Sequence, residues 1–365
     1  MLKCYPIAAA QENWFHEALI NILNLIHQKL EQGEVIVNEQ RTWRQLVDSQ
    51  VPREYRTKLK SYRGMRDKVF SYKDELVLLS PMQRETVLDA MNGQNLISDL
   101  LVGNEPIRII KQTFPQLHDK AKELFVYCFE KLTDLKIRER QYNIIFDSLD
   151  EKICPFCGIE RVMDPEETAQ DQDHYLAKSI YPFAAANMRN LVPMCRCCNR
   201  DYKKAKDIIM GENNIRRRAF DPYSSASPVL SLSNSALIPN SSPINIDWRI
   251  DFLSSIEEAE TWDSVFSIRT RYQRDILGKY FDIWLRGFMT KCFKERSRGR
   301  IKNDFTPDQV RQQLQFYQED KADSPNIGMA GFLEPLAFSF LLSQYDEGNT
   351  RVVNLVRDAV LGVSL

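Results

Sequence analysis

The chain has 365 residues, of which 43% are hydrophobic and 27% are charged. This composition is typical of a globular protein and argues against disordered or fibrous material. Because the formal net charge is only -1, the overall field of the molecule cannot attract nucleic acid, and any such contact must come from local basic patches.

The length predicts two or three packed units. The amino terminus has no basic flank followed by an apolar run, so no signal peptide is predicted. No stretch approaches the roughly 20 apolar residues of a membrane span. We therefore expect a cytoplasmic protein without a membrane segment.

The first part of the chain has the pattern of helices. Residues 11–32 place Trp14, Leu19 and Ile22 at helical spacing, and Gly33 is a natural stop. Residues 82–149 continue this pattern throughout. The sequence thus predicts a helical amino-terminal domain over residues 1–150.

Residues 41–68 carry nine lysines or arginines against three acids, with Trp43, Tyr55 and Tyr62 between them. Such a segment could face nucleic acid, since cations contact phosphates and aromatic rings stack on bases. It could equally be the solvated basic surface of a helix. The sequence alone leaves both interpretations open.

The later part of the chain changes composition twice. A stretch rich in Ser, Pro and Asn predicts a connector over residues 223–245, with one or two strands. Residues 246–365 read as a helical carboxy-terminal domain. Within it, Thr306 and Pro307 predict a helix start, because Thr caps helices and Pro is favoured at the first helical position.

Five of the eight cysteines lie between Cys154 and Cys198. A four-thiolate zinc site needs sulfur pairs at short spacing. Cys154 with Cys157, and Cys195 with Cys198, have the required gap of two residues, whereas Cys197 does not fit that gap with either neighbour. The alternative is a reduced, metal-free cluster. The isolated Cys4, Cys128 and Cys292 are expected to be small buried residues.

A group of polar residues lies between and beside the cysteine pairs. Asp173-His174 is the chain's one Asp-His step, and Asn190 and Asn199 follow it. Hydrolysis of a phosphodiester at neutral pH needs a base to activate water and a divalent cation to stabilise the developing charge. A neutral His and a carboxylate can supply these roles, and an Asn can bind a hard cation or hold a loop.

The segment from Cys154 to Lys206 resembles the HNH nuclease family. The family pattern is a Cys pair, Asp-His, then Asn-Leu followed by a second Cys pair and a terminal His or Asn. It reads here as CPFCG, DQDHYLAKSIYP and NLVPMCRCCN. One departure is Ala177 at a place where related sequences tend to have Pro.

The resemblance implies a role for each matching residue. His174 would be the general base, with Asp173 and Asn199 as ligands of a catalytic Mg²⁺ or Mn²⁺ ion. Asn190 would orient the His174 loop, and the four cysteines would bind a separate structural Zn²⁺. A helix running from near Asn199 through Lys206 would lie against the nucleic-acid backbone. The cations expected to contact phosphates are Lys178, Arg200, Lys203 and Lys204.

The phrases DHYLAKSIYP and NLVPMC, with the later AFDPY, also resemble the nuclease subunits encoded beside ATPases in prokaryotic anti-phage operons of the Septu kind. This resemblance implies a role in defence. It also implies that the helical flanks dock an ATPase or a second copy of the chain.

These observations predict a mainly α protein with a small ββα-metal (HNH) zinc-containing module inserted centrally, over residues 151–222. The expected function is that of a metal-dependent endonuclease that cleaves DNA. One alternative is a zinc-ribbon module that binds nucleic acid or protein without cleavage. Another is an interaction subunit whose nuclease site is degenerate or needs a partner.

Overall fold

The computed structural model describes residues 3–149, 151–167, 171–211, 214–224, 227–240, 244–324 and 330–362. Helices dominate these residues, which confirms the mainly α class. The chain divides into two compact units. We call Lys3–Lys152 with Val162–Ala226 the amino-terminal unit, and Ile153–Arg161 with Ser227–Leu365 the carboxy-terminal unit. No helix among the described residues is both long and apolar enough to span a bilayer.

Eight α-helices precede the cysteine region in the amino-terminal unit. They are α1 (Trp14–Glu31), α2 (Gln40–Gln50), α3 (Arg53–Ser61), α4 (Arg63–Val77), α5 (Pro81–Asn95), α6 (Ile97–Val102), α7 (Pro115–Asp134) and α8 (Ile137–Ser148). In α1, Leu19, Ile22 and Ile26 are fully buried on one face, as the helical spacing predicts. The helix ends just before Gly33, whose φ of +73° suits a residue without a side chain.

The helical stretch expected over residues 82–149 is interrupted in the structure. Helix α6 ends at Gly103, which adopts a φ of +87°, and α7 begins only at Pro115. Gly tolerates this left-handed conformation, and Pro is favoured at the first turn of a helix. The residues between Gly103 and Pro115 therefore form a loop, although their apolar residues have helical spacing.

The aromatic residues of the basic segment pack against the protein. Trp43 is completely buried, and Tyr55 stacks on Trp14 with 3.7 Å between ring centroids. Tyr62 packs edge-on against Phe15. Trp43 is therefore not available to stack on bases, whereas Tyr55 and Tyr62 are half-buried.

Two short strands and a short helix complete the amino-terminal unit. Strand β1 (Gln172–His174) pairs antiparallel with β2 (Leu191–Pro193), and a π-helix follows at Cys197–Lys203. The loop between the strands packs on the helices through Phe183, whose ring lies 5.6 Å from that of Phe125 in α7. Because a segment this small cannot bury a core of its own, it shares the core of the preceding helices.

The predicted boundaries of the module at residues 151 and 222 differ from this division. Residues 162–226 group with the amino-terminal helices, whereas Ile153–Arg161 group with the carboxy-terminal unit. In that unit Trp262 Nε1 donates to the Phe156 carbonyl at 2.8 Å, and the Tyr272 hydroxyl donates to the Cys157 carbonyl at 2.9 Å. The two residues of each contact are 106 and 115 positions apart in the chain, respectively.

The carboxy-terminal unit begins with four short strands. β3 (Leu230–Ser231) pairs with β6 (Asp251–Phe252), and β4 (Ala236–Leu237) pairs with β5 (Ile246–Asp247), both antiparallel. The pairs cross the predicted boundary at residue 245, since one partner of each lies in the expected connector. The expected connector is therefore partly sheet.

Helices form the rest of this unit. Their bounds are Ile256–Phe266, Ile268–Arg271, Tyr272–Leu277, Gly278–Ser297, Pro307–Asp323, Leu333–Asp346 and Thr350–Leu361. Thr306 and Gln309 form a reciprocal capping box before Pro307, which confirms the predicted helix start. The core is aromatic, with Phe288, Tyr317 and Phe338 in mutual contact.

Candidate functional site

The two strands of the amino-terminal unit position the Asp-His step. In the antiparallel register Asp173 lies opposite Val192, and His174 lies opposite Leu191. Successive residues of a strand point to opposite faces, so the carboxylate and the imidazole leave the hairpin on different sides. Both side chains are buried, with 8% of each residue exposed.

His174 is held as a neutral imidazole. Its Nε2 lies 3.0 Å from the carbonyl oxygen of Ala185. Because a carbonyl only accepts hydrogen bonds, Nε2 carries the proton and Nδ1 keeps a lone pair. Burial lowers the pKa of His174 to about 3, and the nearby charge of Lys178 adds to the effect. At neutral pH this side chain is therefore uncharged, and its Nδ1 carries a lone pair.

Asp173 forms a buried ion pair. Its Oδ2 lies 2.6 Å from the ammonium of Lys203, which is 1% exposed. The same ammonium donates to the His174 carbonyl at 2.9 Å. Burial raises the pKa of Asp173, and the Lys203 charge partly opposes that shift. Lys203 is thus not on the exposed face where a phosphate contact was expected, because the helix ends at this residue with its side chain inside.

Asn190 closes the loop that follows β1. Its Oδ1 accepts from the Leu176 amide at 2.7 Å, and its Nδ2 donates to the carbonyls of Leu176 and Ala184 at 3.1 Å each. The side chain is completely buried. Since Ala184 precedes the carbonyl that binds His174, this carboxamide fixes the loop that orients the imidazole.

The helix after the second Cys pair is shorter than predicted. It ends at Lys203, and Lys204 takes a φ of +53°, so it does not reach Lys206. Arg200 is exposed and paired with Asp171, with 3.0 Å between Nε and Oδ2. Asn199 is half-buried, and among the described contacts no hydrogen bond joins it to Asp173.

The four predicted cysteines come together. The sulfur atoms of Cys154, Cys157, Cys195 and Cys198 all lie within 4.8 Å of one another, and all four residues are buried. A tetrahedral zinc with Zn–S bonds of about 2.3 Å needs sulfurs about 3.8 Å apart. Cys157 and Cys195 each accept a backbone amide at 3.4 Å, from Ile159 and Cys198. This cluster could hold a zinc ion.

The other cysteines lie outside this cluster. Cys197 is half-buried and is not part of the cluster, which agrees with its spacing. Cys128 and Cys292 are buried as expected. Cys4 is exposed, so its expected burial is wrong.

Sequence reasoning missed three residues beside the candidate base. The ring of Phe129 in α7 lies 4.4 Å from that of His174. Arg138 in α8 donates from Nε to Gln172 Oε1 at 2.7 Å, and Gln172 Nε2 donates back to the Arg138 carbonyl at 2.9 Å. No motif marks Phe129 or Arg138, because helices distant in sequence supply them, whereas Gln172 belongs to β1 itself.

Comparisons with protein-family models, with curated proteins and with solved structures found no match for this chain.

Proposed function

We propose that this protein is a metal-dependent endonuclease of the HNH type that hydrolyses phosphodiester bonds in DNA, with His174 as the general base. The arrangement of His174 carries the proposal. Its Nε2 is engaged by the Ala185 carbonyl, and the loop that presents this carbonyl is fixed by Asn190. A neutral, oriented imidazole with a lone pair on Nδ1 is what proton abstraction from water requires.

The division of roles within the site follows from its contacts. His174 Nδ1 would take the proton of the attacking water, and Asn190 would hold the loop that sets the ring orientation. Lys203 would hold Asp173 ionised despite burial, because its ammonium offsets the cost of desolvating the carboxylate. Each of these roles belongs to a side chain of the amino-terminal unit.

Asp173 and Asn199 have donor atoms that suit Mg²⁺ or Mn²⁺. The Asp173 Oδ2 atom already contacts the Lys203 ammonium at 2.6 Å, so a divalent cation at this carboxylate would share it with Lys203 or displace that side chain. When bound, such a cation would stabilise the charge that develops on the scissile phosphate and leaving oxygen.

We further propose that Cys154, Cys157, Cys195 and Cys198 bind a structural Zn²⁺. Four buried sulfur donors at close range are the usual ligands of structural zinc. The sequence resemblance alone supports a role in prokaryotic defence with an ATPase partner, or with a second copy of the chain. Co-purification with ATPases encoded beside it tests that part of the proposal.

Cleavage of supercoiled plasmid by the purified chain tests the nuclease. The native chain should nick or linearise plasmid with Mg²⁺ or Mn²⁺. Cleavage should stop when EDTA is added and resume when excess Mg²⁺ is added. His174→Ala should lower the rate by about 10²- to 10⁴-fold, the range for loss of a general base. His27→Ala removes another buried histidine of the same unit and is the matched control. Absence of cleavage by the native chain would favour a binding module, and cleavage that persists in EDTA would contradict the proposed metal dependence.

Metal analysis of the purified chain tests the zinc site separately. We expect one zinc per native chain and a marked loss in Cys157→Ser, because thiolate ligands hold the ion. Cys4→Ser is the matched control, since Cys4 lies outside the cluster. A native chain without zinc, purified in the absence of chelators, would contradict this assignment.

A further inference from the structure

Two cations share one aromatic ring beside the candidate base. The guanidinium carbon of Arg138 lies 4.3 Å from the centre of the Phe129 ring, and the Lys178 ammonium lies 5.5 Å from it. The His174 ring lies 4.4 Å from the same ring. Contacts of this kind hold cations in place without neutralising them.

These two cations differ from their neighbours in having no acidic partner. Among the described residues, no carboxylate lies within ion-pair distance of Arg138 or Lys178, whereas Lys203 pairs with Asp173 and Arg200 pairs with Asp171. The remaining nearby acid, Glu139, lies 3.9 Å from Lys136. Asp171 and Asp173 act on Arg138 and Lys178 only from beyond ion-pair distance, so direct pairing does not neutralise the two cations at Phe129.

Both cations lie beside the candidate base, because the ring that contacts them also contacts His174. Their positive charges would attract the phosphate whose hydrolysis the imidazole serves.

Arg138 has a free edge and space beside it. Its Nε is bound to Gln172, and its Nη1 donates to Thr133 Oγ1 at 2.9 Å. No hydrogen bond from Nη2 to the described residues occurs. Arg138 and Gln172 line a cavity of about 260 Å³, together with the carboxylates of Glu139 and Asp171. An oriented guanidinium with an open edge is well suited to a phosphate oxygen.

We propose that Arg138 and Lys178 form a phosphate-binding pair that holds the DNA backbone beside His174, with Phe129 as the residue that positions both. A phosphate contact was expected for Lys178 from the sequence, whereas Arg138 and Phe129 come from α8 and α7. The helical segment before the module thereby contributes to substrate binding. The identity of the anion as DNA rests on the proposed function.

Binding of a labelled 20-base-pair DNA duplex to the full chain tests the pair. Fluorescence anisotropy is measured over a range of salt concentrations without added Mg²⁺ or Mn²⁺, and a gel checks that the duplex stays intact. Each phosphate contact adds about 0.9 to the slope of log affinity against log salt concentration. Arg138→Gln with Lys178→Gln should therefore weaken binding and lower the slope by about 2.

Two further variants separate charge from structure. Arg138→Lys keeps the charge and should retain the native slope, whereas a structural role would make it behave as Arg138→Gln does. Arg140→Gln removes a cation from the same helix, but one that is exposed and paired with Glu12. It should bind DNA as the native chain does.

The result separates this proposal from the nuclease. A native salt slope in the Arg138→Gln/Lys178→Gln variant, or a native chain that does not bind the duplex, would overturn the phosphate-binding pair. Binding that depends on both cations, in a chain that never cleaves DNA, would support the pair and contradict the nuclease. Cleavage by the native chain, together with unchanged DNA binding by the double variant, would support the nuclease and contradict the phosphate-binding pair.

Discussion

The two units of the protein bury different kinds of side chain. Among the described residues, the carboxy-terminal unit buries four polar or charged residues, which are Ser235, Thr261, Arg271 and Glu334. Within the same described part of the chain, the amino-terminal unit buries thirteen polar or charged residues. They include an Asp-Lys ion pair, three histidines of its helices and the Asp-His step. The carboxy-terminal core consists mainly of aromatic and aliphatic side chains.

This contrast agrees with the position of the proposed site. Burying a charge or an imidazole costs free energy that burying an apolar side chain would not. In the carboxy-terminal unit such costs are few. In the amino-terminal unit they concentrate around β1, where His174 and Asp173 lie, which is consistent with a functional site.

The largest stability effect is expected from breaking the buried ion pair. Lys203→Met leaves the Asp173 carboxylate buried without its partner, and we expect a loss of about 3–5 kcal/mol in the free energy of unfolding. Urea denaturation of the purified variant measures it. The double variant Asp173→Asn/Lys203→Met should recover most of the loss, because no uncompensated charge remains.

The matched control for this pair is exposed. Arg200 and Asp171 also form an ion pair, with side chains 59% and 51% exposed. Arg200→Met should therefore cost less than about 1 kcal/mol. Equal losses in Arg200→Met and Lys203→Met would contradict the importance of burial in this unit.

Asn190→Ala should have the next largest effect. It removes three hydrogen bonds and leaves the buried amide and carbonyl of Leu176 without a partner, whereas the Ala184 carbonyl still accepts from the Asn187 amide at 3.1 Å. We expect a loss of about 3 kcal/mol in the same denaturation experiment. Asn38→Ala removes the exposed bonds to Asp74 and should change stability little. A near-native Asn190→Ala would show that the loop does not depend on this side chain.

Acid should destabilise the protein through its buried histidines. Burial lowers the pKa of His16 and of His27 to about 4, from 6.5 in the unfolded chain. Between these values the unfolded state binds more protons, so stability falls as the pH drops from 7.5 to 5. The expected loss is about 2 kcal/mol per histidine. His16→Gln/His27→Gln should show a weaker pH dependence, and an identical dependence would exclude these residues as its source.

The smallest effect is expected in the carboxy-terminal unit. Glu334 accepts a hydrogen bond from the Tyr317 hydroxyl at 3.0 Å, and the Lys321 ammonium lies 3.6 Å away. Glu334→Gln keeps an acceptor for Tyr317, and Lys321 is partly exposed to water. We expect a loss of about 1 kcal/mol. A loss as large as that of Lys203→Met would remove the contrast between the two units.

Local patterns allowed much of this structure to be predicted. The two-residue gaps of the Cys pairs identified the four clustered sulfurs, since a tight turn is a property of the local chain. The apolar spacing of residues 11–32 located α1, and the Thr306-Pro307 step located a helix start. Each signal lies within a few residues of the feature it predicts.

Features that depend on distant contacts could not be predicted. The burial of Lys203 results from its pairing with a carboxylate thirty positions earlier in the chain, and basic residues beside it are exposed. Arg138 and Phe129 reach the candidate site only because α7 and α8 pack beside β1. The assignment of Ile153–Arg161 to the carboxy-terminal unit likewise depends on Trp262 and Tyr272.

The most direct test of the central claim is chemical rescue of the His174→Ala variant in single-turnover cleavage of a DNA duplex with Mg²⁺. The variant alone should cleave about 10²- to 10⁴-fold more slowly than the native chain, and it should regain part of the native rate as imidazole is added, because the free base replaces the missing side chain. Native-rate cleavage by His174→Ala without imidazole would contradict the assignment of His174 as the base.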